Sequence, residues 1–411
     1  DAIYAQSFQG SLALFNSTIT NASGYGIYVY SYSYYNRQSQ ILLQNNVFSM
    51  LEYSYYTTIY LLYFGNLTMI GNEMICPSQC LNLRYGYETV VDDNTFDGMP
   101  GVSSSSELVY ISSSISGANS FSLQRNTFRN WQTSSSYIDA LYVDVGQSSS
   151  GTGNLTLKDN RFYNISAGTI FDLNLGGSAS PVNIANLFQS NLEATSSSCP
   201  SALCITNWPS SCGTGPCTLA GNIFNFSAPE GQYHLAVKES ANSLGAIDAT
   251  LSYWGVSDEA NLTDAIYDGR DGIELTTVIY LPYLLTDDPE GEKSPNETSL
   301  GFLRSGSILN GILLEGEHVT LDEAGSPYKS DGSLIIDGYL EILPNVTVQM
   351  DDGSSILVRK GQFRAVGTLE KPISFEKLSE RWAGLTVEKK LGVSPGFQLL
   401  FAYNDVKSYT P

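Results

Sequence analysis

A short phrase of apolar and polar positions recurs along the first 255 residues of the chain. Each copy reads apolar, any residue, apolar, two mostly polar residues, asparagine, any residue, aromatic or methionine. The six clear copies are residues 41–48, 67–74, 89–96, 121–128, 155–162 and 217–224. Weaker copies stand at residues 12–14, 182–188 and 249–254. Because alternate residues of a strand point to opposite sides, each phrase predicts a strand with its apolar residues turned inward.

The spacing of the phrase predicts how the strands are arranged. The asparagines of the clear copies are Asn46, Asn72, Asn94, Asn126, Asn160 and Asn222. They follow one another at intervals of 26, 22, 32, 34 and 62 residues, and the last interval contains the weak copy with Asn186. A repeat of this length is typical of a β-solenoid, in which each coil stacks on the next and insertions bulge outward. The sequence therefore predicts an all-β fold, a right-handed parallel β-helix.

Asparagine suits the turn of each coil. Its short side chain tolerates left-handed backbone, and its amide can hydrogen-bond to the equivalent asparagine one coil away. We therefore expect the six asparagines to form an inward ladder, and none of them stands in an Asn-X-Ser/Thr sequon. A second strand per coil is predicted at residues 26–30, 81–83, 140–145, 171–175 and 234–237.

The phrase stops after residue 255, where the chain changes character. Residues 257–269 predict a short helix, with Ser257 as its N-cap and Leu262 and Ile266 on one face. Residues 287–297 are charged and contain two prolines, which is typical of a linker. The predicted organisation is β-helix coils with a C-terminal cap over residues 1–285, a linker over residues 286–306, and the opening coils of a second β-helix over residues 307–411.

Four segments of the C-terminal region resemble the opening coils of extracellular pectin-lyase-like β-helix domains. They are residues 326–328 (Ser-Pro-Tyr), 343–348 (Leu-Pro-Asn-Val-Thr-Val), 367–375 (Gly-Thr-Leu-Glu-Lys-Pro-Ile-Ser-Phe) and 382–385 (Trp-Ala-Gly-Leu). The resemblance covers residues 249–411 and includes large animal cell-surface proteins that carry such domains. It implies the same fold, and a fold alone does not decide between a structural and a carbohydrate-active protein.

Cysteines and sequons indicate the compartment. The short separations predict local disulfides, Cys76 with Cys80, Cys199 with Cys204 and Cys212 with Cys217, although the pairing among the last four stays open. A zinc site is the alternative, but structural zinc takes four Cys or His ligands, and His234 and His318 are isolated in sequence. Nine sequons occur, at Asn16, Asn21, Asn66, Asn154, Asn164, Asn225, Asn261, Asn296 and Asn345. Together these features predict a secreted protein with N-linked glycans.

The net charge restricts the partners. The chain has 41 acidic and 20 basic residues, a formal charge of −21, which argues against nucleic acid or an anionic membrane as a partner. No apolar run approaches the roughly 20 residues that a membrane span needs. Because residue 1 enters one predicted solenoid already in progress and residue 411 lies within a second, unfinished one, we expect a larger precursor in which copies of the chain join head to tail as a filament. The predicted partners are such copies or neighbouring extracellular proteins.

One group of charges could form a ligand site. Asp93, Arg125 and Asp159 each stand directly before a ladder asparagine in three successive coils, so stacking at about 4.8 Å would bring them together. Asp92, Lys158 and Arg161 stand nearby. An ion-pair ladder on the surface is one interpretation, and a uronate or calcium site is the other. The Asn-Thr-Asp, Gly-His-Gly and Arg-Ile-Lys phrases of polygalacturonases are absent. We predict no catalytic residue, no metal site and no cofactor, with Ca²⁺ at acidic stretches as the open alternative.

Tyrosine is the other candidate chemistry. The chain has 27 tyrosines, concentrated in residues 25–35 and 53–63. With Ile27 and Val29 inward, Tyr28 and Tyr30 face outward, where they could stack on sugars, pack against a neighbouring molecule or be covered by loops. The sequence therefore predicts a structural or adhesive solenoid. The alternative is a carbohydrate-binding or polysaccharide lyase-type β-helix that acts on acidic sugars.

Overall fold

Parallel strands of successive repeats pair along the chain in the computed structural model. The structure describes residues 1–31, 39–51, 55–99, 103–104, 106–112, 120–133, 135–144, 154–175, 182–190, 192–196, 198–207, 218–238, 247–256, 262, 264–268, 275–276, 278–294, 302–305, 308–313, 317–351, 354–358, 361–378, 384–387, 398–402 and 404–406.

Two compact units divide the chain. The first comprises residues 1–279 and 283–294, and the second comprises residues 280–282 and 295–411. The strands of the first unit are β1 Ile3–Gln6, β2 Ser11–Phe15, β3 Thr18–Ala22, β4 Ile27–Tyr30, β5 Gln40–Gln44, β6 Val47–Met50, β7 Ile59–Leu62, β8 Asn66–Ile70, β9 Glu73–Cys76, β10 Leu81–Arg84, β11 Glu88–Asp92, β12 Thr95–Gly98, β13 Ser103–Ser104, β14 Val109–Ser112, β15 Ser120–Gln124, β16 Thr127–Thr133, β17 Leu141–Asp144, β18 Asn154–Ala167, β19 Phe171–Asn174, β20 Val182–Gln189, β21 Leu192–Ala194, β22 Ser201–Thr206, β23 Ile223–Asn225, β24 Tyr233–Val237, β25 Ile247–Asp248, β26 Ile266–Tyr267 and β27 Val278–Ile279.

The main strands of the first unit form three walls. The first wall contains β2, β5, β8, β11, β15 and the start of β18, and the second wall contains β3, β6, β9, β12, β16 and the end of β18. These two walls form one sheet because β18 and β20 run through the corner between them. The third wall is a separate ten-stranded parallel sheet of β1, β4, β7, β10, β14, β17, β19, β22, β24 and β26.

The first and third walls contain the two strands per coil that the sequence predicts, but the second wall was missed. Each of its early strands begins directly after a ladder position and has only four or five residues, as in β6 and β9. Such a strand has two or three inward positions, and the first of them lies inside the phrase, which was predicted as one strand followed by a turn. The aromatic residue of the phrase is one of those inward positions, as the buried Phe48 in β6 shows.

A column of stacked aromatic rings fills the core behind the second wall. The rings of Phe96, Phe128, Phe162, Phe188, Phe224 and Trp254 follow one another with centroids 4.8–5.0 Å apart. All six side chains are fully buried. Their burial removes a large apolar area from water, and the repeat in sequence thereby becomes a continuous hydrophobic core.

The asparagine ladder runs through the corner between the first and second walls. The Nδ2 atoms of Asn46, Asn72, Asn94, Asn126 and Asn160 each donate to the Oδ1 atom of the next ladder asparagine at 2.8–3.0 Å. The same oxygens accept the backbone N–H groups of the preceding ladder residues. These asparagines are at most 1% exposed. The amides therefore join successive coils inside the core, as the sequence predicts.

Serine replaces asparagine at both ends of the ladder. The backbone N–H of Ser17 donates to Asn46 Oδ1 at 2.9 Å, and the backbone N–H of Asn222 donates to Ser252 Oγ at 3.2 Å. Asn186 also belongs to the ladder, since its backbone N–H donates to Asn222 Oδ1 at 2.7 Å. Its Nδ2 atom is nevertheless buried without a hydrogen-bond partner. The turn before Asn186 is one residue short, and the pairing of β18 with β20 shifts register there.

At every ladder position except Asn186, the left-handed backbone of the corner belongs to the preceding residue, and not to the asparagine as the sequence predicts. Positive φ angles occur at Asn16 (47°), Asn45 (55°), Gly71 (65°), Asp93 (53°), Arg125 (53°), Asp159 (58°), Gly221 (81°) and Leu251 (55°). Leu251 was predicted as an inward strand residue. It instead occupies this turn, and Ala249 is the buried residue of that coil.

Two further predictions differ from the structure. Residues 262 and 264 have helical backbone, but Ile266 belongs to β26, which pairs with β24, so the predicted helix over residues 257–269 was wrong at its C-terminal end. The predicted linker over residues 286–306 begins too early. Residues 286–294 belong to the first unit, where Leu284 pairs with Lys293 and the Leu285 N–H donates to the Glu292 carbonyl.

The second unit is also built of stacked parallel strands, with an antiparallel pair at β28 and β29. Its strands are β28 Phe302–Ser305, β29 Ile308–Leu313, β30 His318–Leu321, β31 Tyr328–Ile336, β32 Tyr339–Ile342, β33 Thr347–Met350, β34 Ser355–Val358, β35 Gln362–Val366, β36 Ile373–Lys377, β37 Gly384–Val387, β38 Gln398–Ala402 and β39 Asn404–Val406, with a 3-10 helix at Glu323–Gly325. Its own core includes Tyr328, Leu340, Val348 and Phe375.

Candidate functional site: the outward face of the third wall

In-register pairing sorts the outward side chains of the third wall into columns. One column contains Tyr4, Tyr28, Tyr60, Asn82, Tyr110, Tyr142 and Asp172, and the next contains Gln6, Tyr30, Leu62, Arg84, Ser112, Asp144 and Asn174. The inward positions between them are apolar, as in Ile27 and Val29. Strand alternation thus places Tyr28 and Tyr30 on the outer face, as the sequence predicts.

Tyrosine rings at the start of this face stack on one another. The ring of Tyr28 lies between those of Tyr4, with centroids 5.1 Å apart, and Tyr60, with centroids 5.3 Å apart. The planes differ by only 5° and 7°. Because neighbouring rings cover both faces of Tyr28, a sugar cannot stack on it. The sugar-stacking interpretation of Tyr28 therefore does not fit this geometry.

A second stack lies further along the face. The Tyr110 and Tyr142 rings are 5.2 Å apart, and the Arg84 guanidinium lies 4.8 Å from the centroid of the Tyr110 ring. Arg84 Nε also donates to Asn82 Oδ1 at 3.0 Å. The cation and the hydrogen bond hold this part of the face in one arrangement.

Beyond Tyr142, carboxyl groups replace tyrosine. Burial, followed by the charge of Asp172, raises the pKa of Asp139 to about 7. Burial raises the pKa of Asp172 to about 6, with Asp144 acting in the same direction and Lys238 against it. The Oδ1 atom of Asp172 is buried and has no hydrogen-bond partner. These carboxyls therefore exchange protons near neutral pH, which is the property of a general acid or of a site for a cationic group.

Burial and the charges of Asp144 and Asp172 raise the pKa of Tyr142 to about 12. The phenol is therefore neutral at physiological pH and remains a hydrogen-bond donor. Asp139 accepts the backbone N–H of Thr169 at 3.0 Å, which fixes its position beside the next coil.

Asp139 and Asp172 were not predicted from the sequence. They lie 33 residues apart, outside the asparagine phrase, and no motif marks them. The sequence contains one signal for Asp172. When β17 is aligned with β19, Asp172 takes the outward position that Tyr142 holds in the preceding coil.

The predicted charge group Asp93, Arg125 and Asp159 lies elsewhere. All three occupy the left-handed turns between the first and second walls, and the third-wall tyrosines are on a different sheet. The Arg125 guanidinium pairs with Asp92 in place of its two stacked neighbours. An exposed pair of this kind contributes little stability. The structure therefore does not bring Tyr28, Tyr30 and these charges together in one ligand site.

A family model described as "Right handed beta helix region" matches residues 2–186. It covers the early coils of all three walls. The fold is a right-handed parallel β-helix. No curated protein and no solved structure matches the chain significantly. The similarity of residues 249–411 to large cell-surface proteins therefore stays a prediction.

Two of the predicted disulfides of this β-helix are present, Cys76–Cys80 and Cys199–Cys204. Cys212 and Cys217 lie outside the described residues. The four paired cysteines have no thiolate for zinc, and no group of three or more His, Cys, Asp or Glu that could hold a metal ion occurs in the described part of the chain. Within the same residues, no helix is long and apolar enough to cross a membrane.

The sequon asparagines of the β-helix avoid the third wall. Asn16, Asn21, Asn164, Asn225 and Asn345 are exposed, and Asn66 is half-buried. The side chain of Asn154, and residues Asn261 and Asn296, lie outside what the structure describes. None of the nine lies in a third-wall strand that the structure describes. Asn21 and Asn164 instead lie in second-wall strands, and Asn66 and Asn154 in first-wall strands.

Proposed function

We propose that this β-helix is a secreted structural scaffold whose third wall is its adhesive face. The proposal rests on how the sequons and the aromatic and charged side chains are distributed over the three walls. Sequons occupy the first and second walls, whereas the third wall offers tyrosines, an arginine and partly protonated carboxyls. Glycans on two walls would prevent close contact there, so a protein partner or another copy of the chain would meet the third wall.

The interior supports a load-bearing role. The ladder links the coils from Ser17 to Ser252, and the aromatic column continues to Trp254. Removing one coil between Phe96 and Trp254 would therefore break both columns. A rod that is bonded along its length in this way transmits force between its ends, which is what a structural solenoid requires.

Bead adhesion tests the proposal. Beads coated with the glycosylated protein should aggregate with one another or bind cell surfaces. Tyr142→Ala should reduce that adhesion, whereas Tyr163→Ala, at an outward second-wall position in an adjacent coil, should leave it unchanged. Equal loss in both variants, or no adhesion by the unaltered protein, contradicts the assignment.

A carbohydrate-active enzyme is the second candidate function, and the raised pKa values of Asp139 and Asp172 favour it. A carboxyl that holds its proton near neutral pH can act as a general acid toward a glycosidic oxygen. Incubation with uronate-rich and neutral polysaccharides would then release new chain ends, and Asp139→Asn would abolish the release. Release that is unchanged in Asp139→Asn and Asp172→Asn would come from a contaminant.

A further inference from the structure

Five tyrosines of the third wall and its preceding loops form one connected group, which we call the tyrosine cluster: Tyr4, Tyr25, Tyr28, Tyr56 and Tyr60. Tyr25 approaches Tyr28 to 4.8 Å, Tyr56 to 5.1 Å and Tyr60 to 5.8 Å between ring centroids, in tilted or edge geometry. Tyr4 is 58% exposed and Tyr56 is 49% exposed. The cluster therefore has solvent-facing members and covered members in direct ring contact.

The cluster spans three coils. Tyr4 pairs in register with Tyr28, and Tyr28 with Tyr60, in β1, β4 and β7. The ring planes are nearly parallel, so the rings of neighbouring coils are stacked on one another. Phenylalanine would make the same ring contacts, and the chain uses phenylalanine in the buried column of its core. The phenol hydroxyl is what distinguishes this cluster.

We propose that the tyrosine cluster is a site of oxidative cross-linking, where an extracellular peroxidase with hydrogen peroxide joins tyrosines of successive coils as dityrosine. This inference goes beyond the proposed function and does not depend on which partner the third wall meets.

Formation of dityrosine is a two-electron oxidation that begins at an exposed ring. An exposed phenol, that of Tyr4 or Tyr56, loses one electron and one proton to give a phenoxyl radical. The electron hole passes between touching rings, so an oxidant that reaches only the exposed rings also oxidises Tyr28. A second oxidation gives a second radical, and the two couple by a carbon–carbon bond between positions ortho to the hydroxyls. Both rings then lose their ortho hydrogens and regain phenol hydroxyls, so the protein loses two hydrogen atoms in all. Hydrogen peroxide accepts the two electrons and two protons and becomes two molecules of water.

The surroundings of Tyr25 and Tyr28 favour the neutral phenol, which is the starting state of the oxidation. Burial and the neighbouring tyrosines raise the pKa values of Tyr25 and Tyr28, so both rings are neutral phenols at neutral pH. Their hydroxyls lie on the outer face, where solvent can take the released proton. The products would join coils through Tyr4–Tyr28, Tyr28–Tyr60 or Tyr25–Tyr56, and each would add a covalent link to coils that are otherwise held by hydrogen bonds and packing.

Treatment of the full chain with a haem peroxidase and hydrogen peroxide, at a concentration where it is monomeric, tests the proposal. Dityrosine fluorescence reports the yield, and peptide mapping identifies the joined residues. We expect intrachain links within the cluster. Tyr28→Phe keeps the ring contacts, and it should remove the Tyr4–Tyr28 and Tyr28–Tyr60 links while leaving Tyr25–Tyr56.

The matched control is Tyr137→Phe, which removes a tyrosine that is 82% exposed and lies outside the cluster. It should leave the intrachain map unchanged. Links that join only separate chains, through Tyr55 or Tyr137, would overturn the proposal, as would an absence of dityrosine from the folded chain. Should Tyr28→Phe fail to fold, the map of the unaltered protein still decides.

Discussion

The Nδ2 atom of Asn126 donates a 3.0 Å hydrogen bond to the Oδ1 atom of Asn160, which lies 34 residues further along the chain. Asn126 also donates to the backbone carbonyls of Val91 and Gln124, both at 2.8 Å. One fully buried side chain thus ties three coils together.

Asn126→Ala should therefore destabilise the first unit by about 1–3 kcal/mol, because buried partners lose their hydrogen bonds. Thermal and urea unfolding measure the change. Asn66→Gln is the control, since it removes the sequon at an outward position and should stay within about 0.5 kcal/mol. Equal melting shifts for the two variants would show that the ladder contributes nothing beyond a surface amide.

The left-handed turn before Ser252 predicts a stabilising substitution. Leu251 has φ 55°, which is unfavourable for a residue with a Cβ atom. Leu251→Gly should raise the free energy of unfolding by up to about 1 kcal/mol. Gly221→Ala, at the equivalent turn one coil earlier, should lower it by a similar amount, although an added Cβ would meet no atom closer than 3.9 Å. Changes of the same sign in both variants would contradict the backbone account.

The third-wall carboxyls predict a dependence of stability on pH. The pKa values of Asp139 and Asp172 are raised in the folded state to about 7 and about 6, from an ordinary value of 3.8. The folded chain therefore binds more protons than the unfolded chain between pH 4 and 7, and the stability that these groups contribute falls as pH rises through that range.

Melting temperatures measured from pH 4 to pH 8 check this prediction. Asp139→Asn should flatten the fall, because the amide remains neutral throughout and keeps an oxygen for the Thr169 N–H. Asp159→Asn, at a corner turn, is the control and should retain the slope of the unaltered protein. If the melting temperature of Asp139→Asn falls with pH as steeply as that of the unaltered protein, groups other than Asp139 cause the pH dependence.

The sequence was sufficient for the β-helix and its ladder because both repeat locally. Each copy, such as residues 155–162, contains its own strand and its ladder asparagine. The phrase was misleading at residues 249–254, because Leu251 stands where an inward leucine is expected. Only pairing with the neighbouring coil shows that Ala249 is the inward residue. Ser17 and Ser252 were missed because serine at the ladder position breaks the phrase.

The candidate site depends on pairing between distant strands, which the phrase does not encode. Asp139 and Asp172 come together only because β17 and β19 lie side by side. Their raised pKa values result from burial, and the residue types alone do not indicate it. The charges of Asp93, Arg125 and Asp159 were visible in sequence, but the direction of each side chain at its turn was not, and Arg125 reaches Asp92.

The assignment of the third wall as the adhesive face is tested most directly by placing a glycan on it. Tyr110→Asn creates a sequon on the third wall, because Ser112 stands two residues later, and Gln132→Thr completes a sequon on the second wall that begins at Asn130. Both variants should be expressed with their glycans confirmed by mass spectrometry, with Tyr110→Ala to separate the loss of the ring from the gain of the glycan. The account predicts that bead adhesion is abolished by the third-wall glycan, reduced less by Tyr110→Ala and unchanged by the second-wall glycan. Adhesion that survives the glycan at position 110, or that is lost with the glycan at position 130, would contradict it.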